Sequence, residues 1–181
     1  MTVHKLKRIK LLLLDVDGVL TDGSIIYTDQ GAETKVFNVK DGLGMRLLME
    51  AGIEVGIITG RTSNALHHRC NNLGITLVCD KVQDKAALLD IISKRTGVPW
   101  KEIAFVGDDL PDLPLMRKVG LSVAVADAHE TVRDHADMVM ASKGGAGAVR
   151  EICETILKAQ GLWENIMEKR FKVLHQPEEA S

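Results

Sequence analysis

The sequence predicts a doubly wound α/β domain. Short continuous apolar runs recur along the chain, most of them end in small or acidic residues, and the stretches between most of them have helical period. Continuous apolar runs suit strands buried on both faces, which is what a parallel sheet with helices on either side requires. The expected architecture is therefore a Rossmann-like parallel sheet.

The expected strands are Ile9 to Leu14, Ile53 to Ile58, Ile75 to Val78, Ile103 to Val106 and Ser122 to Val125. Helical spacing and boundary residues place helices over Gly42 to Ala51, Thr62 to Leu73, Lys85 to Arg95, Pro111 to Val119, Ala128 to His135 and Ala146 to Ala159. Between Ser24 and Lys40 the rhythm breaks. Two β-rich runs, Ser24 to Thr28 and Thr34 to Val39, flank Asp29-Gln30-Gly31-Ala32-Glu33, a hairpin that projects from the end of the first strand as a flap (24–40). After Gly161, Leu162, Trp163, Ile166 and Met167 have helical spacing and open a C-terminal tail (162–181). With 181 residues and no interdomain linker or repeat, one domain spanning 1–181 is expected.

Composition narrows the function classes. A formal net charge of -2 supplies no global basic field, which disfavours a nucleic-acid partner. Lys5, Lys7, Arg8 and Lys10 precede an apolar run like that of a signal peptide. Leu11-Leu12-Leu13-Leu14 stops at Asp15, however, well short of the roughly 20 apolar residues a membrane span needs. Three widely spaced cysteines, Cys70, Cys79 and Cys153, suggest reduced thiols and a cytoplasmic location.

In open α/β sheets ligands bind beyond the carboxyl ends of the strands. Those ends carry Asp15-Val16-Asp17-Gly18, Thr59-Gly60-Arg61 and Gly107-Asp108-Asp109, with Asp112 close behind. Other readings of the acidic and glycine-rich stretches fail. An EF-hand loop would need Gly and Glu where Leu20 and Ile26 stand, and a dinucleotide fingerprint starting at Gly42 would need its third glycine at Leu47. Asp15, Asp17 and Asp108 together concentrate negative charge that is costly without a cation. Magnesium resolves that cost, with the Asp15 and Asp108 carboxylates and the Asp17 carbonyl as ligands. Asp109 and Asp112 orient this shell or cap the following helix.

The ordered set Asp15-Val16-Asp17-Gly18, Thr59, Lys85 and Gly107-Asp108-Asp109 resembles the four motifs of the haloacid dehalogenase-like phosphatases. The resemblance implies Asp15 as nucleophile, Asp17 as general acid and base, Thr59, Gly60 and Lys85 as phosphate ligands, and Asp108 as metal ligand. Neither the Asp17–Thr59 nor the Thr59–Lys85 interval has room for a separate cap domain of the usual ~50 residues or more. A closer resemblance is to the capless sugar-acid phosphatases acting on 3-deoxy-D-manno-octulosonate 8-phosphate (KDO 8-phosphate). It extends through Phe37-Asn38-Val39-Lys40-Asp41-Gly42 and Gly144-Gly145-Ala146-Gly147-Ala148-Val149-Arg150-Glu151.

That family implies homotetramers whose hairpins meet, with the tail able to cover a neighbouring site. Apolar Ile25, Ile26, Val36, Phe37 and Val39 on so small an element agree with such packing. A sugar acid also needs a cation for its carboxylate, and Arg61, Lys40 and Arg150 are the candidates. Alternatives at this level are a nine-carbon sugar acid 9-phosphate as substrate, or a phosphatase-like module that only oligomerises.

Overall fold

A computed structural model describes residues 2–173. A short helix α1 (Thr2–Leu6) leads into β1 (Leu11–Leu14), and a small flap follows, in which β2 (Ile26–Tyr27) pairs with β3 (Glu33–Thr34). Then come α2 (Val39–Glu50), β4 (Glu54–Ile58), α3 (Asn64–Leu73), β5 (Leu77–Cys79) and α4 (Leu89–Thr96). The remainder is β6 (Ile103–Gly107), α5 (Leu113–Met116), β7 (Leu121–Ala124), α6 (Glu130–His135), β8 (Met138–Val139), α7 (Ala148–Ala159) and α8 (Trp163–Phe171).

Six strands form one parallel sheet in the order β5-β4-β1-β6-β7-β8. All four leucines of β1 are fully buried, as the central strand of a doubly covered sheet must be. Burying each leucine contributes about 2 kcal/mol. One layer contains α2 packed on α7 and α3; the other contains α4 and α5, with α5 lying on β6 and β7. The chain leaves β1 toward β4 and β5, then crosses to the other side of β1 as β6. This reversal opens the crevice beyond the carboxyl ends of β1 and β6. Register aligns those ends: Leu14 is level with both Ile57 and Val106, so Asp15, Thr59 and Asp108 emerge together.

All five expected strands are present within one or two residues, joined by the short edge strand β8, whose two residues were too few to read. The flap is where expectation and structure differ most. Only two residue pairs form its ladder, and Val39, expected in its second strand, is already the first residue of α2. Asn38 decides this: its side chain accepts the Lys40 N–H and caps the helix. Phe37, expected among the apolar residues that the flap leaves unburied, instead packs partly buried on the core under the Arg69 guanidinium.

The helices expected at Lys85 and Pro111 each begin as a 3-10 turn, Lys85–Leu88 and Leu110–Asp112. The Asp84 carboxylate caps the first, and Asp109 with Asp112 forms a capping box on the second. The tail expected over 162–181 contains α8, with Trp163 and Ile166 against the core. Its residues 174–181 lie outside the described residues. Among the described residues no cap domain interrupts the fold, and no helix is long and apolar enough to cross a membrane.

Candidate active site

The chain turns sharply after β1. Val16 O accepts the backbone N–H groups of Val19, Leu20 and Thr21, and Gly18 takes φ +90°. A Cβ on Gly18 would lie 1.9 Å from Asp108 Oδ2, so only glycine lets the β6 loop come this close. The loop at Gly144 closes on the same turn. A Cβ there would lie 1.7 Å from Gly18 O, while Gly145 N donates to Val19 O at 2.9 Å and Gly144 N to Asp127 Oδ1 at 2.9 Å. The glycine-rich segment thus supports the turn that carries Asp15 and Asp17.

Asp15, Asp17, Thr59, Gly60, Arg61, Lys85, Asp108, Asp109 and Asp112 line one cavity of about 290 Å³, together with Val82, Gln83 and Pro111. Lys85 Nζ lies 2.9 Å from Asp15 Oδ1 and 2.6 Å from Asp112 Oδ1, almost wholly buried. The other Asp112 oxygen accepts the Asp108 N–H at 2.9 Å, so Asp112 joins the lysine to the β6 loop. Thr59 is locked by backbone bonds to Cys79 O and from Val82 N, and its Oγ1 accepts the Arg61 N–H at 3.3 Å.

Electrostatics follow from this crowding. Burial pushes the Asp15 carboxyl up to about 6, against the downward pull of Lys85. Burial, reinforced by Asp15 and Asp112, pushes Asp108 up to about 8. Desolvation lowers Lys85, but its two carboxylate partners outweigh it and leave it raised, hence protonated. Oxygens of Asp15, Asp108 and Asp112 lie within 4.8 Å of one another, and Asp108 Oδ1 is buried without a hydrogen-bond partner among the described residues. Clustered hard oxygens with an orphaned carboxylate atom fit a divalent cation such as magnesium.

Two of the sequence candidates lie elsewhere. Lys40 is exposed in the first turn of α2 and does not line the cavity of its own chain. Arg150 packs over the Trp163 ring and pairs with Glu154 at 2.6 Å, while its backbone N–H is held by buried Asp41. Gly44 places α2 so close to α7 that this arginine is confined to their interface, which explains why it is drawn away from the crevice.

Sequence reasoning also missed three flap residues. Tyr27 and Glu33 are cross-strand partners on one face, and Lys35 lies two residues on from Glu33. Lys35 pairs with Asp17 and with Glu33, the latter at 2.7 Å, and Arg61 Nη2 reaches Glu33 Oε2 at 2.8 Å and Tyr27 Oη at 3.3 Å. The period-two spacing of Glu33 and Lys35 was the available signal.

Known proteins resemble this chain in sequence and fold. The haloacid dehalogenase-like hydrolase family matches residues 77–152. The 3-deoxy-D-manno-octulosonate 8-phosphate phosphatase of Escherichia coli (strain K12) is 47% identical over 159 residues, 88% of this chain and 85% of that protein. The solved phosphatase of the same name from Yersinia pestis has a TM-score of 0.88 at 46% identity, covering 90% of this chain and 88% of that one. The one from Moraxella catarrhalis, in complex with magnesium ion, phosphate ion and KDO, has a TM-score of 0.89 at 43% identity, covering 91% and 95%. With 46–47% identity to these phosphatases over nearly nine-tenths of its length and the same fold, the chain belongs to the haloacid dehalogenase-like hydrolases, in their capless branch of 3-deoxy-D-manno-octulosonate 8-phosphate phosphatases.

Proposed function

We propose that the chain hydrolyses KDO 8-phosphate to KDO and inorganic phosphate, with Asp15 as nucleophile, as a step in supplying a lipopolysaccharide precursor. The observation that carries this reading is the buried Asp15–Lys85–Asp112 chain set against Asp108 at the sheet's switch point. Asp15 and Asp108 carboxylates with the Asp17 carbonyl would hold magnesium. Bound there, the ion neutralises the carboxylates and withdraws charge from the phosphoryl group.

A carboxyl group with a pKa of about 6 is mostly ionised at neutral pH, so Asp15 is available for attack. One Asp15 oxygen bonds to phosphorus as the ester P–O bond breaks, and the departing sugar alkoxide takes the proton of Asp17. Asp17, now a carboxylate, removes a proton from the water that attacks the aspartyl phosphate. Phosphate leaves and the Asp15 carboxylate is restored. Lys85, Thr59 and the Gly60 N–H hold the phosphoryl oxygens, and Asp112 keeps Lys85 aimed at Asp15. Asp109 caps the turn that presents Asp108. Arg61 lies at the cavity mouth, 42% exposed in its side chain, where it can grip the sugar carboxylate. Lys40, on the outside of its own chain, can serve only a neighbouring site.

The same reading makes the chain one domain that works as a cytoplasmic homotetramer. Its support is the apolar surface of the flap and the adjoining start of α2, where Ile25, Ile26 and Val36 are 51%, 47% and 67% exposed on an element too small to bury them and Val39 beside them is 79% exposed.

The deciding experiment is phosphate release from a panel of phosphorylated sugars and sugar acids with magnesium. KDO 8-phosphate should have the highest kcat/KM, and Asp15→Asn should lose at least about 10³-fold while keeping its circular dichroism spectrum. Preference for a nine-carbon acid 9-phosphate would overturn the substrate; more than a tenth of wild-type rate in Asp15→Asn would overturn the nucleophile.

A further inference from the structure

The flap strand alternates. Glu33 and Lys35 turn inward and are half-buried as residues, whereas Thr34 and Val36 between and beyond them are exposed. Inward, four charged groups close into a neutral ring: Lys35 pairs with Asp17 Oδ1 and Glu33 Oε1, and Arg61 pairs with Glu33 Oε2 and, at 3.7 Å, with Asp17 Oδ2. The Lys35 side chain is only 2% exposed. An ammonium so far from water is tolerable because carboxylates meet it on two sides. Asp17 Oδ1 is thereby occupied, while buried Asp17 Oδ2, with Arg61 Nε too distant to donate, has no hydrogen-bond partner among the described residues.

We propose that Lys35 is a positioning residue for Asp17: it fixes one carboxylate oxygen so that the other faces the leaving group, and it makes the flap part of the acid–base machinery. This rests on the assignment of Asp17 as proton donor. A carboxyl group free to rotate presents its proton correctly only part of the time. Lys35 donates to Oδ1 and has no lone pair to accept the carboxyl proton, so pinning Oδ1 leaves the proton that Asp17 delivers to the leaving alkoxide on Oδ2. Glu33 anchors the lysine and Arg61 together, so the flap's inner face is tied at two points to residues beyond β1 and β4.

The test exploits the leaving group. In the holoenzyme with magnesium, Lys35→Met keeps the length and removes the charge. It should lower kcat/KM about 30-fold for KDO 8-phosphate and for carboxylate-free glycerol 3-phosphate, whose alkoxides need the proton of Asp17. For 4-nitrophenyl phosphate, whose phenolate departs unprotonated, the loss should stay below about 3-fold. Equal losses on all three esters, or no loss on any, would overturn the proposal, since a merely structural flap residue gives no such split.

Amide hydrogen exchange supplies a readout independent of turnover. Residues 28–36 should exchange at least about 10-fold faster in Lys35→Met, and faster also in Asp17→Ala, because each variant removes the Lys35–Asp17 tether. Unchanged protection in both would refute the tether. If the wild-type protein hydrolysed no phosphate ester with magnesium, the proposed function would fall and the positioning role with it, whatever the exchange rates.

Discussion

Replacing Asp108 by Asn should stabilise the metal-free protein and abolish its response to magnesium. In the folded chain burial holds this carboxyl at about 8, against an ordinary value of 3.8, with Asp15 and Asp112 adding to the rise. A raised acid keeps its proton in the folded state at pH values where the unfolded chain has lost it. Its destabilising effect is therefore absent below about 3.8, grows as pH rises toward about 8, and is complete above that. At pH 7 the gap spans about three pH units, or roughly 4 kcal/mol at 1.36 kcal/mol per unit. Partial exposure of Asp108 reduces this to about 2–4 kcal/mol.

Asparagine is neutral at every pH and nearly isosteric, so it escapes this cost. With chelator present, Asp108→Asn should melt about 5–10 °C above wild type at pH 7.5 and within about 2 °C of it at pH 4. Added magnesium should raise the wild-type melting temperature, because ligand bound to the folded state alone stabilises it, and should leave the variant unmoved. Differential scanning fluorimetry over a pH and magnesium grid reads all four conditions. Equal melting temperatures across the pH range would refute the crowded carboxylate, and an equal magnesium response would refute the metal assignment.

Chelation should remove phosphatase activity and magnesium restore it, whereas calcium, larger and more loosely coordinated, should not; full turnover in excess chelator would contradict the metal's role. Arg61→Ala should raise KM for KDO 8-phosphate about 10- to 100-fold while changing it less than about 3-fold for 4-nitrophenyl phosphate, as steady-state kinetics would read; equal changes would place Arg61 in the phosphate site. Ile26→Lys with Val39→Lys should shift the mass seen by light scattering from tetramer toward smaller species, and a wild-type monomer at micromolar concentration would refute the flap interface.

Much of this molecule is legible in its sequence because strand and helix periods are local properties of side chains. The leucine run at residues 11–14 suits a strand covered on both faces, and acidic or hydroxyl residues directly after the runs mark where a parallel sheet exposes its carboxyl ends. Asp15, Thr59 and Asp108 could therefore be identified as strand-end residues before any pairing was known. Asn38, whose side chain accepts the Lys40 N–H, likewise carries a helix start in its own chemistry, although the apolar run across it pointed to a strand.

What only the tertiary structure decided is which distant segments meet. The order β5-β4-β1-β6-β7-β8 follows from how the helices pack on each face, and it alone brings the β6 loop to within a missing Cβ of Gly18. Arg150 follows a glycine-rich loop much as a ligand-binding residue would, yet the close approach of α2 and α7 commits it to Glu154 and Trp163. Lys35 reads as one more flap charge until the two-pair ladder of β2 and β3 turns it inward onto Asp17. Local periodicity says which way a side chain faces its own strand; what stands opposite depends on chain closure and packing over long separations, which no single stretch of sequence encodes.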